Sequence, residues 1–226
     1  MESKRAEILK SIAKACQNTR RNPSDVTLVA VSKKQPLEKI KRLYEEGQRI
    51  FGENYVQEFL EKKAELPADV SWHIIGPLQK NKLNKIIGQT ELIHSIDSLE
   101  IASALSEKVL AAKLTKKQKI LLQVNIAEES SKSGVTAEEA TTLAKNIAKL
   151  TGIELCGLMS MPPFTNNAED SRIYFRKIAQ LKKELQKTIP TVRELSMGTT
   201  QDFAVAIEEG ATLVRIGEAV FGARLQ

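Results

Sequence analysis

Cysteine, histidine and aromatic residues are all scarce in this sequence, and each scarcity removes a class of function. The 226 residues include two cysteines and two histidines. Cys16 and Cys156 lie far apart and form no metal-ligand or Cys-x-x-Cys spacing, so two reduced thiols are expected. His73 and His94 are too isolated along the chain to suggest a metal centre, which needs several clustered ligands. Aromatics make up 4% of residues and the lysines are spread along helical patterns. The formal net charge of +6 therefore reads as a solvated basic surface. A basic stripe with stacking platforms, the mark of nucleic-acid binding, is missing. No apolar run approaches the roughly 20 residues of a membrane span. The start, from Met1 to Arg5, is polar and lacks a signal core. A soluble, cytoplasmic protein is expected.

Against those absences stands an ordinary globular composition, 42% hydrophobic and 27% charged, with one grammar throughout. Strand-like runs fall at 26–32, 50–53, 71–76, 92–96, 120–126, 154–160, 193–197 and 212–216. Helical stripes lie between many of them, such as Leu37, Ile40, Leu43 and Tyr44, or Val56, Phe59 and Leu60. Thr136 and Glu139 form a capping-box pair, and a long helix is predicted over 169–187. Gly47, Gly88, Gly152 and Gly210 each follow a helical stretch, where the left-handed conformation is wanted. Eight strands without a composition break predict an α/β fold, a single (β/α)₈ TIM barrel over 1–226. A helix over 2–18 precedes the first strand and is expected on the barrel's bottom or flank.

In such a barrel, chemistry sits at the C-terminal strand ends. Lys33 follows the first strand and shares its two-residue parity with Val29 and Val31, so it points where they point. A poorly solvated lysine there offers a neutral, nucleophilic amine. A first-turn lysine reaching for solvent has equal standing on local sequence. The stretch from Ser196 to Asp202 opens a helix after the seventh strand. Its Gly198, Thr199 and Thr200 suit a phosphate at a helix N-terminus, or simply an N-cap. Arg215 has the parity opposite to Val214 and Ile216, which turns it inward, and Gly217 opens another amide-bearing turn. Loops after strands seven and eight are frequent phosphate sites in barrels. Amine, inward cation and two phosphate turns together are more specific than any one part.

Several segments resemble the pyridoxal phosphate (PLP) homeostasis proteins, also described as proline synthetase co-transcribed homologues. They are 30–33 (Ala-Val-Ser-Lys), 51–55 (Phe-Gly-Glu-Asn-Tyr), 72–82, 196–198, 215–217 and 221–224, in the family's order. Segment 72–82, Trp-His-Ile-Ile-Gly-Pro-Leu-Gln-Lys-Asn-Lys, is the most diagnostic. The resemblance implies a fold type III barrel similar to the N-terminal domain of alanine racemase, with PLP held as an internal aldimine. It implies Lys33 as the Schiff-base lysine and Arg215 at the pyridine nitrogen, which keeps that nitrogen unprotonated. Ser196, Gly198, Thr200, Gly217 and Glu218 would surround the phosphate. Asn54 would sit beside the ring, and Met159 and Ser160 would help line the pocket. One departure concerns the phosphate loop: the family commonly reads Ser-Met-Gly-Met-Ser where this chain has Thr199 and Thr200. Lys80, Lys82 and Lys85 are either a transfer surface or a solvated face.

The resemblance implies a carrier that buffers, protects or delivers PLP without evident turnover, with PLP-dependent apo-enzymes as its partners, and as a monomer. A PLP-dependent amino-acid racemase is the alternative. It needs an acid/base group on each face of the substrate carbon. The sequence is expected to lack the second domain that supplies the opposing tyrosine in alanine racemase-like proteins, although Tyr55 lies near a strand end. A PLP-free Schiff-base aldolase would share Lys33 and the phosphate cradle without requiring Arg215.

Overall fold

The computed structural model describes residues 3–129 and 132–222. Ala223 and Arg224, the last positions of the family resemblance, lie outside the described residues. Eight strands close a parallel barrel in chain order: β1 Thr27–Val31, β2 Ile50–Glu53, β3 Ser71–Ile74, β4 Leu92–Ile96, β5 Gln118–Val124, β6 Ile153–Ser160, β7 Glu194–Ser196 and β8 Leu213–Ile216. The first and last strands pair in register from Thr27 with Leu213 to Ala30 with Ile216, which closes the cylinder. The helices are α1 Lys4–Asn18, α2 Leu37–Glu45, α3 Val56–Glu65, α4 Leu99–Ala111, α5 Ala137–Ile147, α6 Arg172–Gln186, α7 Phe203–Glu208 and α8 Glu218–Phe221. Among the described residues, no helix is long and apolar enough to cross a membrane.

Strand alternation sorts the core into two layers. One side of each strand faces the helices, where Phe51 and Phe59 pack their rings against Trp72 with centroids 5.9 and 5.7 Å away. The other side fills the barrel with Val29, Leu92, Leu121, Met159 and Leu213. Capping fixes the helix starts as the sequence suggests: Thr136 and Glu139 make the reciprocal capping box of α5. Helix α1 packs on the barrel flank against α7 and α8.

Three local expectations change. Residues 80–85 form a short 3₁₀ turn between β3 and β4, so Gly88 does not end an α-helix. The predicted helix 169–187 begins as a 3₁₀ turn, Ala168–Ser171, before α6. Gly152 does not adopt the left-handed conformation; a Cβ there would lie 2.4 Å from the Ser106 carbonyl oxygen, so close approach of α4 is what requires glycine.

Candidate cofactor site

A cavity of about 490 Å³ opens at the C-terminal ends of the strands. Lys33 reaches it from the turn after β1, half-buried, with Val31 beside it. That turn is held from outside the barrel. Lys62 of α3 donates to the Ser32 carbonyl at 2.7 Å, to Glu53 at 2.8 Å and to Glu58 at 2.7 Å. The Ser32 hydroxyl donates to Glu53 at 2.6 Å, and Glu58 accepts the Lys34 amide at 2.9 Å. Lys34 itself has φ of 55°, a sharp left-handed step that these bonds stabilise. Burial raises the Glu53 carboxyl to about 6, against the lowering pull of Lys62 and Ser32.

Arg215 enters the cavity from below, 4% exposed. It donates to the Ser196 hydroxyl and, at 3.0 Å, to the Ser160 carbonyl. Both acceptors are uncharged, so neither neutralises the guanidinium. Burial lowers its pKa to about 10, with Asp202 acting in the opposite sense, and it stays a cation at neutral pH.

Two turns close the side next to β1, which pairs with β8. After β7, Gly198 has φ of 89°, and a Cβ there would meet Ala206 at 2.6 Å and Phe203 at 2.9 Å. The Thr199 amide and hydroxyl both donate to Asp202, at 2.7 and 3.1 Å. Thr200 then lines the cavity. After β8, Gly217 caps α8, and Gly217 and Glu218 line the same cavity. Helix N-terminal turns carry unshared amides and a positive dipole end, which favour an anion.

Of the residues singled out in the sequence, Lys33, Asn54, Thr200, Arg215, Gly217 and Glu218 line this one cavity. The other four are placed differently. Met159 lies one layer down, buried among Val29, Leu121 and Leu213, while Met161, just past the end of β6, lines the mouth. Ser160 contributes its carbonyl to Arg215, and its hydroxyl is buried without a partner among the described residues. The Ser196 hydroxyl is taken up by Arg215 and by His94. Gly198 does not line the cavity itself; it permits the close approach of α7 beside the turn that carries Thr199 and Thr200.

The sequence reading missed several residues. Lys132 lines the cavity, its ammonium held by Glu129 and, at 2.9 Å, by the Pro162 carbonyl. Gln123 lines it too, and its parity with the inward Leu121 was the available signal. His73 and His94, isolated in sequence, meet inside the barrel at 3.0 Å. Tyr55 is 52% exposed and faces a separate cleft with Pro77, Lys82 and Lys85. Both cysteines are free and buried, and burial pushes the Cys156 thiol up to about 12, which leaves it unreactive.

Closed barrel and strand-end site together define a class. The family described as alanine racemase, N-terminal domain, matches residues 9–225. The pyridoxal phosphate homeostasis protein of Aquifex aeolicus (strain VF5) is 40% identical over 221 residues, 97% of this chain and 96% of that protein. PipY of Synechococcus elongatus PCC7942, solved without PLP, is 36% identical with a TM-score of 0.82, covering 93% of this chain and 100% of PipY. PipY solved with PLP bound is 34% identical, with a TM-score of 0.80 and the same coverage. The chain belongs to the family of pyridoxal phosphate homeostasis proteins.

Proposed function

We propose that this chain, working as one unit over 1–226, binds PLP at the C-terminal mouth of its barrel and serves in PLP homeostasis without turning over a substrate. The observation that carries the reading is that Lys33, Asn54, Thr200, Arg215, Gly217 and Glu218 share one cavity. The donor chemistry fits the cofactor part by part. An amine at Lys33 suits an aldehyde, and the turns at Thr200 and Gly217 suit a phosphate. A cation held by two neutral oxygens at Arg215 suits a ring nitrogen that accepts a hydrogen bond. Ser160 and Ser196 act through Arg215, Gly198 shapes the phosphate turn, and Met159 forms the floor beneath.

PLP supplies an aldehyde that condenses with an amine, losing water, and a ring that withdraws electrons when its nitrogen is protonated. Arg215, a cation at neutral pH, disfavours that protonation and so weakens the ring as an electron sink. No tyrosine lines the cavity among the described residues, and Lys132 is tied to Glu129 and the Pro162 carbonyl. These features support a holder of PLP rather than a racemase. The relatives' names, homeostasis proteins rather than enzymes, agree with it. The finer form of the reading is a cytoplasmic monomer that gives PLP up to apo-enzymes, since a lysine linkage is reversible.

The test is borohydride reduction of the PLP-loaded protein followed by peptide mapping. The label is expected on Lys33, and Lys33→Ala is expected to stay colourless. Covalent PLP retained by Lys33→Ala, or a label elsewhere, overturns the site. Rapid racemisation of single-enantiomer amino acids by the loaded protein overturns the non-enzymatic role.

A further inference from the structure

A line of hydrogen bonds runs from Arg215 down through the barrel. Arg215 donates to the Ser196 hydroxyl; that oxygen lies 2.9 Å from Nδ1 of His94; and Nε2 of His94 lies 3.0 Å from Nδ1 of His73. The four residues come from β8, β7, β4 and β3 and are 4, 0, 0 and 4% exposed. His73 lines a second cavity, at the N-terminal end of the barrel.

Chemistry gives this line a direction. A guanidinium only donates, so the Ser196 oxygen accepts from Arg215. The serine's own hydrogen then needs an acceptor, because a buried hydroxyl left unpaired is costly. Nδ1 of His94 is in place to accept it, and that fixes the proton of His94 on Nε2, where it is donated to Nδ1 of His73. His73 in turn carries its proton on Nε2. With the opposite tautomers, Ser196 would accept from both neighbours and its hydrogen would point at neither.

We propose that His94 is a positioning residue for the cofactor: by accepting from Ser196 it keeps that oxygen's lone pair on Arg215, which holds the guanidinium against the pyridine nitrogen. The inference rests on the placement of PLP proposed above. The neutral state of the histidines supports it. Burial pushes His73 down to about 4 and His94 well below its ordinary value, so neither becomes a competing cation beneath Arg215 at neutral pH. The charged groups around the line are Glu91 and Lys119 near His73, and Asp202 near Arg215.

Two substitutions separate positioning from packing. In His94→Asn the side-chain oxygen takes the place of Nδ1 and can accept from Ser196, whereas the contact with His73 is lost. In His94→Leu the acceptor is gone. His94→Leu is expected to weaken PLP binding about tenfold, the worth of one hydrogen bond to a charged network, and His94→Asn less than about threefold. The resonance of ¹⁵N-labelled PLP ring nitrogen is expected to stay at the unprotonated position in wild type and His94→Asn, and to move in His94→Leu. Equal losses in both variants, or wild-type binding and ring resonance in His94→Leu, overturn the proposal.

Histidine ¹⁵N–¹H correlation spectra of the PLP-free protein give an arm independent of cofactor and of variant folding. Both rings are expected with the proton on Nε2, and a proton on Nδ1 of His94 overturns the proposal. If wild type takes up no PLP at all, the binding-site reading has failed and the proposal falls with it. If wild type loads through Lys33 and His94→Leu behaves like it, the positioning role alone has failed.

Discussion

The ammonium of Lys62 donates to the backbone carbonyl of Ser32 at 2.7 Å, one residue ahead of Lys33. A residue on the outer face of the barrel therefore sets the turn from which the proposed cofactor lysine projects. Lys62 is 8% exposed and Glu53 is fully buried, so this is an ion pair removed from water. Such pairs contribute little net stability but are costly to break, because the remaining charge has no partner.

Lys62→Met is accordingly expected to lower unfolding free energy by about 3 kcal/mol. Adding Glu53→Gln is expected to restore more than half of that, since the stranded carboxylate is the source of the cost. Urea unfolding at pH 7 measures both. A double variant no better than the single one would show that lost packing, not the buried charge, sets the effect.

The buried histidines dominate the acid response. His73 titrates near 6.5 when unfolded and is pushed down to about 4 by burial, a change equivalent to about 3 kcal/mol. A depressed histidine pKa means that the unfolded chain binds the proton more readily. Its contribution is complete above pH 6.5 and is lost as pH falls toward 4. Glu53 works in the opposite direction. Raised from 4.5 to about 6, it contributes fully below pH 4.5 and loses that contribution as pH rises through 6, worth about 2 kcal/mol. With His94 added to His73, the histidines prevail. The urea midpoint of the PLP-free protein should fall between pH 6.5 and 4.5. His73→Gln should flatten that fall and Glu53→Gln should steepen it; the reverse pattern would refute the assignment.

The strands and their inward faces were legible because strand parity survives closure of the barrel. Parity put Val29, Val31 and Lys33 on one side and turned Arg215 inward, and the cavity contains Val31, Lys33 and Arg215. What parity lacks is depth. Met159 and Met161 have the same two-residue parity, and only where β6 ends relative to the mouth decides which one lines it. Nor does a motif show where a side chain's hydrogen bonds are spent: Ser196 sits in the phosphate-loop stretch, yet its hydroxyl serves Arg215 and His94. The histidine pair was hidden for a topological reason. His73 and His94 stand 21 residues apart, and the adjacency of β3 and β4 brings their rings together. Lys62 was hidden by its spacing, since Glu58 and Lys62 have the i, i+4 separation of an ordinary surface pair.

Asp202 offers a charge test of the phosphate turn. Its Oδ1 accepts from both the amide and the hydroxyl of Thr199, so the carboxylate holds closed the turn that leads Thr200 into the cavity. A phosphate bound at Thr200 would share that turn with a like charge. Asp202→Asn keeps the oxygen acceptor and removes the charge. Stability is expected to change by less than about 0.5 kcal/mol, because the asparagine Oδ1 can accept the same two hydrogen bonds from Thr199. Relief of repulsion of about 1 kcal/mol should tighten PLP binding roughly fivefold at low salt. The gain should shrink as ionic strength rises and screens the remaining charge interaction. Asp202→Ala separates the two roles, since it removes the same charge but also the acceptor of the Thr199 hydrogen bonds, at a cost of about 1 kcal/mol of stability. Fluorescence titration with PLP at two salt concentrations, alongside urea unfolding, distinguishes these outcomes. An affinity in Asp202→Asn equal to wild type at low salt would place the phosphate away from this turn.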